Sequence, residues 1–583
     1  MRKLIAILLC IFFQLFTLSI FAQNAADVII INANIITAVQ KGERKQVMAI
    51  KNGKIVFVGK MNEVAQWKSA STKIVDAKGK TIIPGLNDVH LHPNPETPFQ
   101  QYNHIIRLDT VTSMKSLQRL LASKAAITPK GMLIRGRGYN EGKLGSEPIK
   151  YFLDEVTPNH PVLLTHASGH KSAANSLLLK INNITKETAD PPGGQYDRSQ
   201  DGTPNGICKE AAAQNLTKNN QIVPYPSISF AEEVANYAAY FNSLLSFGIT
   251  SIGDAGVDTN RLKIYKALEE QNFPMRFNVM IVEKLLPEMQ GGDIHHETDE
   301  WKALQYFDQN VIPQIETDFL RVKSIKVFHG NSLSGKTCWL YEPYDMLNPA
   351  TGKKDYYGIP YKRTQAQLDS LFLAIHRKGL QICVHSNGDR EIDMVLQAFE
   401  KVYQSGNPLN IHHRIEHCSV INDSIIFKIK KLGIIPVLHS YIDELGNLLE
   451  PYGDNRLNRM FATKSFLEAG VLPAMHSDAP VSNVDARKRW ESVVIRTTES
   501  GKKLGATQCI DAEDALIMFT KGGAAATGEL DKKGVLAKGM LADFVIIAED
   551  PTNILPSELH NLHILETWIQ GKQVYRNSSK QNR

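Results

Sequence analysis

Two histidines spaced one residue apart, in Asp88-Val-His90-Leu-His92, are the first chemically suggestive feature of this 583-residue chain. In an extended segment alternate side chains face the same way, so His90 and His92 present two imidazoles to one side. Paired imidazoles at a strand end make a nest for a divalent metal. Other candidates end other apolar runs: His385 in Ile382-Cys-Val-His385, His417 in Arg414-Ile-Glu-His417, and Asp478 in Ala474-Met-His-Ser-Asp478. Added to the first pair, these endings suit zinc-type coordination with a position left open. Lys326, in Ser324-Ile-Lys326-Val-Phe-His329, is the least obvious member. A lysine in an apolar strand is costly as a buried, unpaired cation. Carboxylated by carbon dioxide, it becomes an anionic oxygen ligand able to bridge two metals. Snorkelling to the rim would instead make it a bystander. The residues alone leave both readings open.

These side chains are far apart in sequence, so the elements between them must bring them together. Strands are predicted over 82–92, 249–254, 276–281, 322–329, 380–385, 414–418, 434–439 and 471–478. Helices are predicted over 231–246, 365–378, 391–403 and 464–469. Parallel strands alternating with helices point to a closed (β/α)8 barrel of TIM type, an α/β fold. In such a barrel functional residues gather where strands end, as the candidates here do. No Gly-x-Gly-x-x-Gly turn follows a strand, which argues against an open doubly wound sheet. The stretch over about 93–248 is too long for one connection, so a large insertion after the first barrel strand is expected over one end of the barrel.

Both termini read as short strands. Near the start these are Asp27-Val-Ile-Ile-Ile, Val47-Met-Ala-Ile-Lys and Lys54-Ile-Val-Phe-Val-Gly, with Asn52-Gly53 as a tight hairpin signal. Near the end they are Ala542-Asp-Phe-Val-Ile-Ile, His563-Ile-Leu-Glu-Thr-Trp-Ile and Gly571-Lys-Gln-Val-Tyr. Neither group suffices for a stable sheet, so one small β-sandwich built from both ends is expected. The resulting division is 1–22 leader, 23–83 first β part, 84–534 barrel and 535–583 second β part.

The leader expectation rests on Arg2 and Lys3, the apolar run from Leu4 to Phe21, and the small residue Ala22. It implies an exported, periplasmic or secreted protein without a stable membrane anchor. A retained transmembrane segment and a lipid anchor through Cys10 are the competing readings. With 66 Lys+Arg against 60 Asp+Glu the net charge is +6 and no long basic run occurs, so a nucleic-acid partner is not indicated. The other cysteines, Cys208, Cys338, Cys383, Cys418 and Cys509, are odd in number and lack a Cys-x-x-Cys. Cys383 and Cys418 read as core. His412, His413, His295 and His296 read as surface residues, while Asp389 and Arg390 read as ordering the loop after His385.

Taken together, His90-x-His92, Lys326, His385, His417 and Asp478 on strands one, four, five, six and eight resemble the metal-dependent amidohydrolase superfamily. Gly136-Arg-Gly-Tyr, Asp201-Gly-Thr-Pro-Asn-Gly, Phe247-Gly-Ile-Thr-Ser, Arg414-Ile-Glu-His, Ser477-Asp-Ala-Pro and Gly539-Met-Leu-Ala-Asp are similar to the branch containing N-substituted formamide deformylase. The resemblance spans about Asp27 to Tyr575. It implies a centre of one or two divalent metals, commonly zinc, held by His90, His92, Lys326, His385, His417 and Asp478. Lys326 would be carboxylated and Asp478 would be the catalytic base and acid. It also implies hydrolysis of a non-peptide C–N bond in a small-molecule substrate. His170, His329, Arg414 and His439 are candidate substrate contacts; Arg414 and Glu416 are otherwise expected to face outward and pair. The chain departs from the branch at Gly330-Asn-Ser332, where Asp-Gly-Ser is usual, and at His439-Ser440, where Gln-Pro is usual. Lactone or phosphoester hydrolysis at the same centre, and a binding protein without catalysis, are the rival functions. Nothing in the sequence decides between a monomer and a homo-oligomer.

Overall fold

The computed structural model describes residues 25–95, 105–217, 228–282, 314–348, 350–407 and 409–577, together with 304–305 and 307. The leader, Cys10, His295 and His296 lie outside the described residues. Eight strands form the barrel path of the central sheet, which the short antiparallel strand Ile315–Glu316 extends beside the fourth: β1 (Leu86–Leu91), β2 (Ile249–Val257), β3 (Arg276–Ile281), β4 (Leu320–Phe328), β5 (Gln381–Ser386), β6 (Arg414–His417), β7 (Ile435–His439) and β8 (Ala474–His476). They lie in sequence order and every neighbouring pair is parallel. The sheet curls round so that β8 meets β1. Asp478 N donates to His90 O at 3.0 Å and His92 N to Ala479 O at 2.7 Å. Ser477 adds a backbone and a hydroxyl bond to Asp88, at 3.1 and 2.5 Å. Helices Phe230–Leu245, Gln365–Arg377, Asp389–Gln404 and Asp423–Leu432 cover the outside. With both faces covered, strands such as β5 are buried at every position, which is why they read as apolar runs.

β8 is shorter than its sequence pattern suggests. Pro473 before it has no N–H to donate, and Asp478 after it takes a left-handed φ of 58°. The chain turns into the barrel mouth instead of continuing the ladder.

The stretch after β1 forms a separate six-stranded sheet over Ile105–Arg107, Ile134–Tyr139, Val162–His166, Lys171–Ala174, Gly194–Arg198 and Pro204–Glu210. Its own cores are built on residues such as Leu117, Leu121, Val162 and Ile207. It reaches the barrel mouth through Glu210, whose Oε1 accepts from Thr337 Oγ1 at 2.7 Å.

Strands from both ends of the chain share one sheet: Lys572–Arg576, Ile564–Ile569, Phe544–Ile547, Thr81–Pro84, Asn34–Ile36 and Arg44–Lys45, in that order. Alternation divides its side chains. Ile35, Ile82, Phe544, Ile546 and Trp568 pack into the sandwich core with Ile30, Met48 and Ile50 of the second sheet. Ile36, Ile83, Val545, Ile547 and Ile569 join the barrel's core instead. The Asn52-Gly53 turn connects Val47–Lys51 to Lys54–Gly59, both turn residues having positive φ (50° and 74°).

Candidate metal centre

β1 supplies His90, and His92 follows directly on its last residue. His90 is fully buried and its Nδ1 is hydrogen-bonded to Glu416 on β6. That bond leaves Nε2 facing the cavity, 3.2 Å from Lys326 Nζ and 3.5 Å from Asp478 Oδ1. His92 is partly exposed, with Nε2 3.3 Å from the same Asp478 oxygen. Lys326 is 1 % exposed, so it does not snorkel to the rim. Its ammonium also lies 4.9 Å from the Phe328 ring.

The other strand ends converge on the same cavity. The His385 and His417 rings are 4.5 Å apart, and His90 and His417 are 4.8 Å apart. His417 and Cys418 have φ of 71° and 43°, and this left-handed turn directs the His417 ring inward beside Glu416 rather than opposite it. His439 from β7 stacks on His417 at 4.5 Å, and His476 from β8 lies 4.9 Å from both His90 and His439. His170, from the insertion, places its ring 5.2 Å from His385 while Nδ1 bonds Glu210 at 2.9 Å.

Burial controls the electrostatics. It pushes His90, His417 and His476 far below the ordinary imidazole value and His439 down to about 4, so all four are neutral near pH 7. Neighbouring Lys326 adds to the effect at His90, and His385 and His439 add to it at His417. Burial also lowers Lys326 to about 8, opposed by Glu416 and Asp478. For Asp478 burial works upward, but the His92 hydrogen bond and nearby imidazoles outweigh it and hold the carboxyl at about 2. Because His476 and His439 are themselves neutral, the His92 bond is the stronger cause. Neutral imidazoles around an ionised carboxylate are the protonation states that metal ligation requires.

Three sequence expectations need correction. Arg414 and Glu416 do not face outward: both are fully buried inside the barrel. Arg414 grips Glu416 through Nε at 2.5 Å and Nη2 at 2.9 Å and donates to Val89 O at 2.7 Å. His329 lies just past the end of β4 and is buried, with its ring 5.2 Å from Tyr361. His413 is buried, not at the surface, and bonds His376 at 3.0 Å. His412 is exposed.

Sequence reasoning missed His476 and the orienting role of Glu416. The signal for His476 was available, since it stands two residues before Asp478 as His90 stands two before His92. It also missed Glu391, whose buried carboxylate accepts from Asn331 N, Trp339 N, Asn387 N and Gly388 N at 3.0, 2.8, 3.3 and 2.9 Å.

The donor set suits a divalent metal. Ligand atoms of His90, His92 and Asp478 lie within 4.8 Å of one another, as do those of His417, His439, His476 and Asp478. His417 Nδ1 and both ring nitrogens of His439 and His476 are buried without a hydrogen-bond partner among the described residues. A buried polar atom without a partner costs about 1–3 kcal/mol, so these nitrogens call for something to bind. Ligation by a metal would satisfy one nitrogen of each of these three rings.

The chain is 26% identical over 555 residues to N-substituted formamide deformylase of Arthrobacter pascens, covering 94% of this chain and 98% of that protein. It is 25% identical over 565 residues to Protein LONG AFTER FAR-RED 3 of Arabidopsis thaliana, covering 95% and 92%. An uncharacterized metal-dependent hydrolase from Pyrococcus horikoshii has a similar fold, with a TM-score of 0.66 at 22% identity over 91% of this chain and 99% of that one. Residues 73–575 match the model of the amidohydrolase family. The chain belongs to the amidohydrolase family and is a hydrolase of non-peptide carbon–nitrogen bonds.

Proposed function

We propose that the protein is an exported, zinc-dependent amidohydrolase that cleaves a small amide, with N-substituted formamides as the first class to try. The observation that carries this reading is the shared carboxylate, Asp478, standing between His90 and His92 on one side and His417 on the other. His90, His92, Lys326, His385, His417 and Asp478 would hold one or two zinc ions, with Lys326 carboxylated. When bound, such metals lower the pKa of water toward neutrality and polarise a carbonyl.

The chain's own residues do the rest. Asp478, ionised at neutral pH, accepts the water proton on its carboxylate and delivers it to the leaving nitrogen. Tyr441 donates to Asp478 Oδ2 at 3.3 Å and orients it. His170, anchored by Glu210, stands where a substrate would pass His385. Export is supported by the charged and apolar start of the chain; among the described residues no helix is long and apolar enough to cross a membrane.

A panel of N-substituted formamides, other amides, lactones and phosphoesters, run before and after chelation and with zinc restored, tests the activity. Amide turnover that disappears with the metal and returns with zinc is expected. Turnover of lactones or phosphoesters alone, or turnover indifferent to chelation, would overturn the reading. N-terminal sequencing of the natural product is expected to begin near Gln23. An intact Met1 on soluble cytoplasmic protein would overturn export.

A further inference from the structure

His439 and His476 stand outside the ligand set just described, yet they are buried polar side chains left without hydrogen-bond partners among the described residues. Both are buried, their rings are 4.9 Å apart, and neither ring nitrogen of either residue has a hydrogen-bond partner among the described residues. They sit on adjacent strands, next to His417 on β6 and Asp478 beyond β8. We propose that His417, His439, His476 and Asp478 form a metal position of their own, beside the one at His90 and His92, with Asp478 shared between the two. The inference rests on the metal-dependent reading above and extends it to the wall formed by β6, β7 and β8.

The competing explanation is a packed aromatic cluster, since His439 also lies 4.5 Å from Tyr441 and 5.6 Å from Phe461. The same chain shows what a purely structural buried histidine pair looks like. His376 and His413 bond each other at 3.0 Å; His413 Nδ1 accepts from Ile382 N at 3.0 Å and His376 Nε2 bonds Gly406 O at 2.8 Å. Every nitrogen of that pair is satisfied, as packing against hydrogen-bonding backbone normally ensures. The His439–His476 pair has the burial without the bonds.

Asp478 is shaped for sharing. Its Oδ1 faces His90 and His92 at 3.5 and 3.3 Å, and its Oδ2 faces His417 Nδ1 at 4.0 Å. Each oxygen therefore serves one side. Three imidazoles and one carboxylate select a borderline divalent ion such as Zn2+ or Co2+ over Mg2+ or Ca2+, which prefer all-oxygen sites.

Metal content and the visible spectrum of the cobalt-loaded full chain test this directly. The double variant His439→Gln/His476→Gln is expected to lose one equivalent of metal per chain, together with the intense visible band of four-coordinate cobalt. His92→Gln is expected to keep that band while losing metal from the other position. Unchanged metal content and spectrum in the double variant would overturn the proposal. Should the double variant fail to fold by circular dichroism, the His92→Gln spectrum decides: a retained band supports a separate position and complete loss of metal overturns it. A parent protein that binds no metal defeats the metal-dependent reading itself, whereas a parent whose metal ignores both glutamines defeats only this proposal.

Discussion

Lys326 is a cation that burial has made expensive: it is inside the barrel, 3.2 Å from His90 Nε2, and its pKa is lowered to about 8. A pKa this low keeps a substantial neutral fraction at mildly alkaline pH, and the neutral amine is the form that takes up carbon dioxide. Lys326→Ala is therefore expected to fold, to lose at least one metal equivalent and to lose activity, with partial rescue by a short carboxylic acid. Parent-like metal content and turnover would remove Lys326 from the centre. Glu416 makes a second residue-scale prediction. It accepts from His90 Nδ1 and is itself held by Arg414, the arrangement in which a carboxylate sets the tautomer of a metal-binding histidine. Glu416→Gln is expected to weaken metal binding about 10- to 100-fold, as measured by chelator competition.

Among the elements, the loops after β4 and β5 are joined by buried side chains: Asn387 donates to Asn331 O at 2.9 Å, and Glu391 holds more of the backbone. Glu391, at the start of helix Asp389–Gln404, gathers four backbone N–H groups from both loops. Gly330 leaves room for it: with φ of 146°, a Cβ there would lie 2.6 Å from Glu391 Oε2. Glu391→Gln retains one acceptor but turns an NH2 group toward N–H donors. Denaturant unfolding is expected to show a loss of about 2 kcal/mol, the cost of a buried donor left facing donors. A loss no larger than that of an exposed control would mean the loops hold themselves.

For the whole molecule, the core of the sandwich joins Ile30, Met48 and Ile50 to Phe544, Ile546 and Trp568. Removing residues 535–583 exposes that core and the barrel-facing row, so insoluble protein is expected; a soluble, cooperatively unfolding truncation would contradict it. Acid sensitivity belongs to this scale too. His90, His417, His476 and His413 are depressed well below 6.5, and His439 to about 4, mainly by burial. Each is neutral in the fold while the unfolded chain protonates near 6.5, so the unfolded state binds more protons below that value. The histidines' share of the metal-free protein's stability is expected to be full above about pH 6.5 and to fall steadily below it, opposed by the buried carboxyls Asp88 and Glu391, which burial raises to about 7 and about 8. His439 alone accounts for about 3 kcal/mol between pH 6.5 and 4. A His439→Gln variant whose stability falls with acid as steeply as the parent's would show that His439 is not held neutral in the fold.

The barrel and most strand-end candidates were legible from sequence because both depend on short-range regularities. Apolar runs alternating with amphipathic helices point to parallel βα units, and period-two spacing placed His90 with His92 on one face. Tertiary structure decided what those rules leave out. His417 reaches the cavity beside Glu416 through a left-handed turn, which strict alternation along β6 would have forbidden. Arg414 and Glu416 became an internal support for His90 because the barrel closes around them, and no local pattern reports which side of a fully buried strand faces inward. His439 and His476 acquired their meaning only when β7 and β8 came side by side beyond β6. Ligand sets are relations between distant strands, and a linear sequence states the members without the distances.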